Sequence, residues 1–369
     1  MAHQLHSTKP SLARRRTAQS SDDTDPTATS LQSIRWIRGD ARAIPLPSSS
    51  IDTIITSPPY WRKRDYGIEG QIGQEASAQD YSLAIGRCLA EWRRLLKPTG
   101  SLFLNIGDTY FGRSLAGVPS LVEVAANQGG WLLRNRIVWA KSKGMPSPAK
   151  NRLANRYEFI LHLTTSNKYY YDLLGYGAHV EAPATPGDVW EIALRRNLSS
   201  HLAPFPEELV ARAVALACPA YVCAECGSPR SRVVKRTFEL DESRPQAKRA
   251  LALAREHGLT KKHFIAIRAT GVSDAGKARR IQTGTDKNSK EVRRLATEAK
   301  RVLGGYFREF TFGKRVTTGW TDCGCGAGWR PGVVLDPFAG TGTTLRVALG
   351  LSRAAIGVDL AGRPEVDSE

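Results

Sequence analysis

The sequence predicts a doubly wound α/β sheet whose strands are mostly parallel. Hydrophobic strand-like runs alternate with amphipathic helical segments, and two of those runs end at sharp turns rich in proline or glycine. With 369 residues, of which 41% are hydrophobic and 24% charged, the chain has the composition of a globular protein. Its length exceeds that of a typical single domain, so one large core with an appendage is expected.

Seven segments have the pattern of strands, and three have that of core helices. Strands are predicted at residues 34–37, 51–56, 101–106, 136–140, 157–163, 333–335 and 354–359. Helices are predicted at residues 77–96 with Ser77 as N-cap, at 206–217 with proline in the first turn, and at 343–349. Because the two kinds of segment alternate, crossover helices are expected to join parallel strands.

The N-terminal residues 1–30 are rich in Ser, Thr, Asp and Arg and contain almost no large apolar side chains. They cannot bury enough surface to offset the entropy of ordering, which predicts a disordered tail. No apolar run approaches the roughly 20 residues of a membrane-spanning helix, and the N-terminus lacks the apolar stretch of a signal peptide. A cytoplasmic protein without membrane contact is therefore expected.

The net charge of +18 indicates a polyanionic partner. The positive charge is concentrated, because residues 228–316 carry roughly 23 Lys and Arg against about 9 Asp and Glu. Helical periodicity within this stretch occurs at residues 245–256, 261–268 and 291–303. We therefore predict a core formed by residues 31–220 and 331–369, interrupted by a basic, helical insertion at residues 221–330.

A glycine-rich loop, Asp-Pro-Phe-Ala-Gly-Thr-Gly-Thr-Thr at residues 336–344, lies between a predicted strand and a predicted helix. Gly340 and Gly342 allow a tight turn and a close approach of a ligand to the backbone. The spacing differs from those of dinucleotide and nucleoside triphosphate loops. It favours S-adenosylmethionine, with Asp336 pairing with the ammonium of the donor and Asp359 accepting its ribose hydroxyls. A plain strand-to-helix turn is the alternative.

A second motif, Thr-Ser-Pro-Pro-Tyr-Trp at residues 56–61, ends another predicted strand. Methyl transfer to an exocyclic amine is difficult because the nitrogen lone pair is delocalised into the ring. The Ser57 hydroxyl and the Pro58 carbonyl can accept both amino hydrogens, and Pro59 helps to hold that carbonyl rigid. Tyr60 can stack on a base flipped out of the duplex. The alternative is a strand-ending turn with a surface aromatic residue.

Together these motifs resemble those of DNA amino-methyltransferases. The position of the Ser-Pro-Pro-Tyr motif ahead of the cofactor loop is similar to the motif order of the permuted group called beta. The resemblance extends to residues 39–40, 95–108 and 201–208, and it covers roughly residues 34–220 and 331–360. It implies a circularly permuted, Rossmann-like methyltransferase fold with a seven-stranded sheet, acting on double-stranded DNA with S-adenosylmethionine.

The resemblance also implies site residues at the matching positions. Asp40 would lie on the adenine side of the cofactor, and the motif at residues 201–208 would pack against its methionine end. The implied cofactor-binding residues are Asp40, Pro204, Phe205, Asp336, Pro337, Phe338, Gly340, Gly342, Thr343 and Asp359. The implied catalytic residues are Ser57, Pro58, Pro59 and Tyr60.

The target base is predicted from Ser57. Serine at this position resembles the N4-cytosine members of the family, whereas adenine enzymes more often carry Asp or Asn. The predicted activity is therefore site-specific methylation of the N4 amine of cytosine by base flipping, and N6-adenine methylation is the alternative. A DNA-binding regulator without catalysis and an RNA methyltransferase are further alternatives. A cognate restriction endonuclease is a candidate partner, while the recognition sequence and the oligomeric state stay open.

Four of the six cysteines stand at the two ends of the basic insertion. Cys223-x-x-Cys226 and Cys323-x-Cys325, each flanked by glycine, could close a tetrahedral structural zinc site at its base. Four free cysteines are the alternative, because disulfides are disfavoured in a reducing cytoplasm. The remaining two cysteines are predicted to be small core residues of helices: Cys88 and Cys218.

Two regions are predicted to contact DNA. The insertion resembles a helix-turn-helix, with helices at residues 249–257 and 260–268 and a small core of Leu253, Phe264 and Ile267. A solvated basic arm that contacts only phosphates is the alternative. The loop at residues 141–156 is expected to touch phosphates near the flipped base. The predicted DNA-binding residues are Lys141, Lys143, Lys150, Arg152, Lys261, Lys262 and Arg268.

Overall fold

The computed structural model describes residues 33–141, 151–180, 186–193, 206–237, 239–240, 242, 244–270, 289–312 and 314–362. The predicted disordered tail lies outside these ranges. Among the helices within them, none is long and apolar enough to cross a membrane.

The described residues form fourteen strands and eight α-helices. The strands are β1 (Ile34–Arg38), β2 (Ile51–Thr56), β3 (Leu96–Ile106), β4 (Tyr110–Phe111), β5 (Ser114–Leu115), β6 (Leu132–Ala140), β7 (Tyr157–Thr164), β8 (Val189–Glu191), β9 (Val222–Cys223), β10 (Arg232–Arg236), β11 (Arg315–Trp320), β12 (Trp329–Arg330), β13 (Val333–Asp336) and β14 (Ala354–Asp359). The helices are α1 (Ala78–Leu95), α2 (Val118–Gln128), α3 (Leu173–His179), α4 (Glu207–Ala217), α5 (Pro245–Glu256), α6 (Lys261–Thr270), α7 (Ser289–Leu303) and α8 (Thr343–Gly350).

An eight-stranded sheet is the centre of the fold, with the strand order β1-β14-β13-β2-β3-β7-β6-β8. Strand β7 pairs antiparallel with both of its neighbours, and the other five pairings in the sheet are parallel. Seven strands therefore point in one direction. The prediction of a mostly parallel α/β sheet is confirmed.

Helices cover both faces of the sheet. Ile54 and Leu102 belong to a core shared with α1 and α2, whereas the next residues along each strand, Ile55 and Phe103, belong to a second core with α3, α4 and α8. This division follows from the two-residue period of a strand, which sends successive side chains to opposite faces. A sheet buried on both faces is the usual setting for parallel strands.

Two details differ from the sequence prediction. The eighth strand, β8, pairs with β6 at the sheet edge, and its three residues are too few to give a periodic pattern. Strand β3 begins at Leu96, directly after α1, where the sequence predicted the end of a helix and a turn. Leu96 pairs with Ile51, and an irregularity follows before the regular register resumes at Ser101.

The insertion has its own small core. Strands β10 and β11 form an antiparallel ribbon, and the chain between them contains α5, α6, α7 and a 3-10 helix over Gly304–Phe312. The predicted members of this core, Leu253, Phe264 and Ile267, pack in it with side chains from all of these helices. Because α6 packs mainly against α7, the predicted pair of helices at residues 249–268 is part of a larger helical unit.

His162 of β7 is a buried titratable group in the middle of the sheet. Its ring stacks on Phe103 with centroids 4.5 Å apart, and its Nε2 lies 3.1 Å from Ser101 Oγ. Burial lowers the pKa of His162 from 6.5 to about 3, with a smaller contribution from the charge of Arg134. Protonation therefore favours the unfolded chain. The stability that neutral His162 provides is complete above pH 6.5 and is lost as the pH falls towards 3.

We expect His162→Gln to reduce the acid sensitivity of the fold. Between pH 7.5 and pH 5, the loss of unfolding free energy should be about 2 kcal/mol smaller in the variant than in the parent chain. Glutamine keeps a side-chain amide near Ser101 but has no proton to gain in this range. Urea denaturation at both pH values measures the difference, and an equal loss in the two proteins would contradict the assignment.

Candidate active site

The two motifs meet at the topological switch point of the sheet. On either side of this point, successive strands are added in opposite directions. From β13 the chain passes through α8 to β14 on one side, whereas β2, the neighbour of β13 on the other side, leads through α1 to β3. In doubly wound sheets, ligands bind at the carboxyl ends of the strands at such a switch point. Ser57 follows β2 directly, and the glycine-rich loop follows β13.

Asp336 joins the two motifs physically. Thr56 Oγ1 donates to Asp336 Oδ1 at 2.7 Å, and Thr344 Oγ1 donates to Asp336 Oδ2 at 2.6 Å. The Phe338 N–H donates to the same carboxylate at 3.1 Å. Burial raises the pKa of Asp336 to about 6, although these hydrogen bonds act in the opposite direction. The carboxylate therefore holds the glycine-rich loop against β2, and its predicted contact with the ammonium of a methyl donor stays a prediction.

The loop itself is shaped by its two glycines. Gly342 has a φ of +76° at the start of α8, and a Cβ there would lie 2.8 Å from the Trp36 ring. Gly340 is exposed with a φ of +48°, and a Cβ there would meet nothing nearer than the Phe338 carbonyl oxygen, at 4.0 Å. One glycine therefore allows close packing against β1, while the other presents bare backbone to open space.

Two carboxylates stand beside this loop. Asp359, at the end of β14, accepts hydrogen bonds from the N–H groups of Gly340 and Ala361, both at 3.0 Å. Asp40, just after β1, accepts from Arg42, and this hydrogen bond is the main cause of its lowered pKa. The ends of β1 and β14 are joined because the Gly39 N–H donates to the Asp359 carbonyl at 3.0 Å.

These residues fit S-adenosylmethionine. The exposed backbone at Gly340 leaves room for a ligand, and the half-buried carboxylates of Asp40 and Asp359 can accept hydrogen bonds from hydroxyl or amino groups. The other predicted residues of the loop, Pro337 and Thr343, are buried within it. Phe338 packs edge-on against Trp92 of α1, with ring centroids 6.0 Å apart. The predicted contacts of Pro204 and Phe205 lie outside the described residues.

On the other side of the switch point, Ser57 and Tyr60 belong to a polar network. Tyr60 Oη donates to Glu158 Oε2 at 2.6 Å, and Asn105 Nδ2 donates to Tyr60 Oη at 2.7 Å. Ser57 Oγ lies 3.4 Å from both Tyr60 Oη and Asn105 Nδ2, so these contacts are long. Within the described part of the chain, no hydrogen bond reaches the Pro58 carbonyl. The two atoms predicted to accept an amine thus have little internal competition.

The ring of Tyr60 is positioned by its neighbours. A Cβ at Gly107 would lie 2.6 Å from Tyr60 Cε2, so only glycine fits at residue 107 without displacing the ring. Burial raises the pKa of Tyr60 well above its ordinary value, and the nearby carboxylate of Glu158 adds to this effect. Pro59 supports the turn through its carbonyl, which accepts a hydrogen bond from Tyr81 Oη at 3.0 Å. Tyr60 is therefore a neutral, oriented aromatic ring.

Asn105, Glu158, Gly107 and Thr56 had no predicted role in the site. Thr56, Asn105 and Gly107 lie within the motif runs, and Asn105 is the penultimate residue of β3. Glu158 has the weakest sequence signal of the four, because it lies near the start of β7 and not at the end of a strand. Since β7 runs antiparallel to β3, its first residues lie at the same sheet edge as the last residues of β3. A carboxylate near the start of a mostly apolar strand was the available signal.

The predicted DNA-contacting loop is described only in part. Lys141 Nζ lies 2.5 Å from Glu158 Oε1, and its side chain is 18% exposed. Lys141 therefore joins the Tyr60 network, and a contact with phosphate would need a different conformation. Arg152 is exposed and lies over the Tyr110 ring, 3.9 Å from its centroid. Lys143 and Lys150 lie outside the described residues.

In the insertion, the three predicted DNA-binding residues differ in their surroundings. Lys261 and Lys262 are exposed at the start of α6. Arg268 is half-buried, with Nε donating to the Phe310 carbonyl at 2.7 Å and Nη2 donating to the Thr237 carbonyl at 2.6 Å. Arg268 therefore supports the fold of the insertion through these two carbonyl groups, and its predicted contact with DNA stays a prediction. The predicted metal ligands are close together, with the sulfur atoms of Cys223, Cys226, Cys323 and Cys325 all within 4.8 Å of one another.

The fold and the site define a class of enzyme. A glycine-rich loop and a Ser-Pro-Pro-Tyr motif on adjoining strands are the features of an enzyme that binds a nucleoside-type cofactor beside a substrate pocket. A family model described as DNA methylase, covering N6 and N4 enzymes, matches residues 51–220 and 330–363. The match spans more than half of the chain, which therefore belongs to this family of DNA methyltransferases. The predicted resemblance is confirmed.

Two type II methyltransferases agree with this assignment. The type II methyltransferase M.Cfr9I of Citrobacter freundii is 34% identical over an alignment of 208 residues, which covers 47% of this chain and 68% of that protein. The type II methyltransferase M.SmaI of Serratia marcescens is 33% identical over an alignment of 220 residues, which covers 49% of this chain and 74% of that protein. A solved structure, a putative DNA modification methylase of Thermus thermophilus in complex with S-adenosyl-L-methionine, is 20% identical with a TM-score of 0.43, covering 89% of this chain and 88% of its own.

Proposed function

We propose that this protein transfers a methyl group from S-adenosylmethionine to the N4 amine of a flipped cytosine in duplex DNA. The observation that carries the proposal is the hydrogen bond from Thr56 to Asp336, which brings the two motifs together. This contact supports the proposal, because residues 57–60 follow Thr56 and Asp336 begins the glycine-rich loop. Ser57, where adenine enzymes of the family more often carry Asp or Asn, supports cytosine as the base.

The donor side is formed by the ends of β1, β14 and β13. S-adenosylmethionine, when bound, supplies a methyl group on a positively charged sulfur. Gly340 would present bare backbone to it, Gly342 would shape the turn by packing against Trp36, and Asp40 and Asp359 would accept hydrogen bonds from its adenosine part. Asp336 keeps this loop on β2 and so sets the distance between donor and base.

The base side acts on the geometry of the amine. The Ser57 hydroxyl and the Pro58 carbonyl accept the two amino hydrogens. This arrangement favours a tetrahedral nitrogen whose lone pair is no longer delocalised into the ring. The ring of Tyr60 stacks on the base, and its hydrogen bonds with Glu158 and Asn105 hold it in place. As the new N–C bond forms, the S–C bond of the donor would break and leave a neutral thioether, and the amine would release one proton to solvent. No covalent bond between protein and base is needed.

Identification of the methylated base tests this proposal. Plasmid from cells that express the chain is digested to nucleosides, and the products are separated and weighed by mass spectrometry. We expect N4-methylcytosine, which should be absent from cells that express Tyr60→Ala. Finding N6-methyladenine instead would overturn the choice of base. Finding neither, while purified protein binds S-adenosylmethionine, would favour the DNA-binding regulator, and preferential methylation of RNA in vitro would overturn the choice of DNA.

We also propose that the insertion, residues 221–330, docks the duplex. Its exposed basic residues include Lys261 and Lys262 on α6 and Arg293 and Arg301 on α7. A restriction endonuclease with the same target sequence is the proposed partner, a proposal supported by the type II names of the relatives. Protection of host DNA from such a nuclease, seen only when the active chain is expressed, would test this partnership.

A further inference from the structure

The base of the insertion contains four cysteines from two distant segments. Cys223 and Cys226 come from the segment that enters the insertion, and Cys323 and Cys325 from the segment that leaves it. Their sulfur atoms all lie within 4.8 Å of one another. Cys223 is buried, and the other three are exposed. Four thiols that gather from positions about a hundred residues apart need a common partner, since free thiols attract one another only weakly.

The backbone around the sulfurs is arranged as two tight turns. Gly227, which follows Cys226, has a φ of +69°, and Gly324, between the other two cysteines, has a φ of +80°. Both values lie in the left-handed region that favours glycine. Strands β9 and β12 bring the turns together, because Cys223 pairs with Trp329 and the Ala224 N–H donates to the Gly328 carbonyl at 3.1 Å.

We propose that Cys223, Cys226, Cys323 and Cys325 bind one zinc ion as tetrahedral thiolate ligands. A Zn–S distance of about 2.3 Å in a tetrahedron separates neighbouring sulfurs by about 3.8 Å, so the observed cluster needs only a small contraction. Four thiolates and no other ligand are typical of a closed, structural zinc site. A cubane iron–sulfur cluster fits less well, because each cysteine then binds a different iron and the sulfurs lie further apart.

The proposed ion joins the two chain segments through which the insertion leaves the catalytic core and returns to it. Beyond the cysteines, Arg232 of β10 forms an ion pair with Asp172, the N-cap of α3, at 2.7 Å. On the other side, Gly227 lies near Lys97, whose ammonium is 2.6 Å from the buried carboxylate of Asp52 in β2. The metal thus fixes both ends of the insertion next to contacts with the catalytic core. Its role is to orient the insertion, and it takes no part in methyl transfer.

Elemental analysis of the full chain, purified without chelator, tests the proposal. We expect about one zinc per chain and almost no iron. Fewer than about 0.2 zinc per chain would overturn it, and so would stoichiometric iron. The double variant Cys226→Ser and Cys325→Ser should lose the zinc. The matched control Cys88→Ala and Cys218→Ala removes two buried thiols outside the cluster and should keep it.

A second measurement on the unaltered chain remains decisive if the cysteine variants fail to fold. A mercurial thiol reagent is added stepwise in the presence of a chromogenic zinc chelator. We expect one zinc to be released as the four cluster thiols react, ahead of Cys88 and Cys218. Reaction of these thiols without release of any metal would overturn the proposal. The readout is independent of methyl transfer, so it separates this site from the proposed function.

Discussion

A chain in which residues 238–313 are replaced by a two-residue Asn-Gly turn should lose at least about 100-fold in affinity for duplex DNA at ~0.1 M salt. The replacement removes α5, α6 and α7 together with their exposed basic residues. It leaves the β10–β11 ribbon intact, because Arg236 already pairs with Arg315 and the Thr237 N–H donates to the Lys314 carbonyl at 2.8 Å. An Asn-Gly turn is suited to joining strands in this register.

The physical reason for this loss is counterion release. Each phosphate neutralised by Lys or Arg contributes to an affinity that falls steeply with salt. The affinity for S-adenosylmethionine should be unchanged, because the ends of β1, β13 and β14, which form the donor side, lie outside the deleted segment. Fluorescence anisotropy with a labelled duplex and calorimetry with the donor measure the two quantities. Unchanged DNA affinity would refute the docking role of the insertion.

Point variants separate specific contacts from general charge. The double variant Lys261→Gln and Lys262→Gln should lower the slope of log affinity against log salt by about 2, if each lysine neutralises one phosphate. The control Arg87→Gln removes an exposed charge from α1 and should leave the slope unchanged.

Arg268→Gln should lower the stability of the insertion, because its guanidinium binds two carbonyl groups there. If Arg268→Gln changes the slope without lowering stability, Arg268 contacts DNA after all.

Gly107→Ala should lower the turnover number by about 100-fold while leaving the affinity for the methyl donor unchanged. A methyl group at residue 107 would lie 2.6 Å from Tyr60 Cε2, closer than carbon atoms approach without displacement. The ring cannot move freely, since its hydroxyl is bound to Glu158 and Asn105. A shift of about 1 Å in a positioning group is enough to cost two orders of magnitude in rate.

A matched glycine provides the control for this prediction. A Cβ at Gly86, inside α1, would lie 3.9 Å from the Ala125 Cβ, which is ordinary contact. Gly86→Ala should therefore leave turnover unchanged and raise the unfolding free energy by about 0.5 to 1 kcal/mol. Single-turnover kinetics and urea denaturation distinguish the two effects. If Gly107→Ala keeps full turnover, the oriented Tyr60 ring is not required for catalysis.

Much of the fold was predictable because its signals are local. Strands β2 and β14 and helix α5 begin and end at the predicted residues, since short apolar runs mark the strands and a proline in the first turn marks the helix. Strand β8 was missed because three residues carry no period. The start of β3 at Leu96 was missed because pairing with Ile51 overrides the turn signal of Lys-Pro-Thr-Gly.

In the candidate site, too, the sequence predicted some features and only the structure showed the others. The motif residues Ser57, Tyr60 and Asp336 were named from the sequence because glycine and proline patterns constrain the backbone locally. The sequence could not show that the carboxylate of Asp336 is enclosed by Thr56 and Thr344, since Thr56 lies 280 residues away. It also could not show that Lys141 pairs with Glu158 or that Arg268 binds the carbonyl groups of its own insertion. Long basic side chains have no periodic signal that identifies their partners.

By itself the sequence determined the class of chemistry, the order of the core elements and the location of the basic insertion. These features depend on residue type and short spacing, which a chain carries whether or not it is folded. The tertiary structure alone decided which groups meet. The reversed direction of β7 brings Glu158 to the edge where Tyr60 and Asn105 lie, and the β9–β12 pairing brings four cysteines together. Both outcomes depend on strand pairing between distant segments, which the packing of the whole core determines.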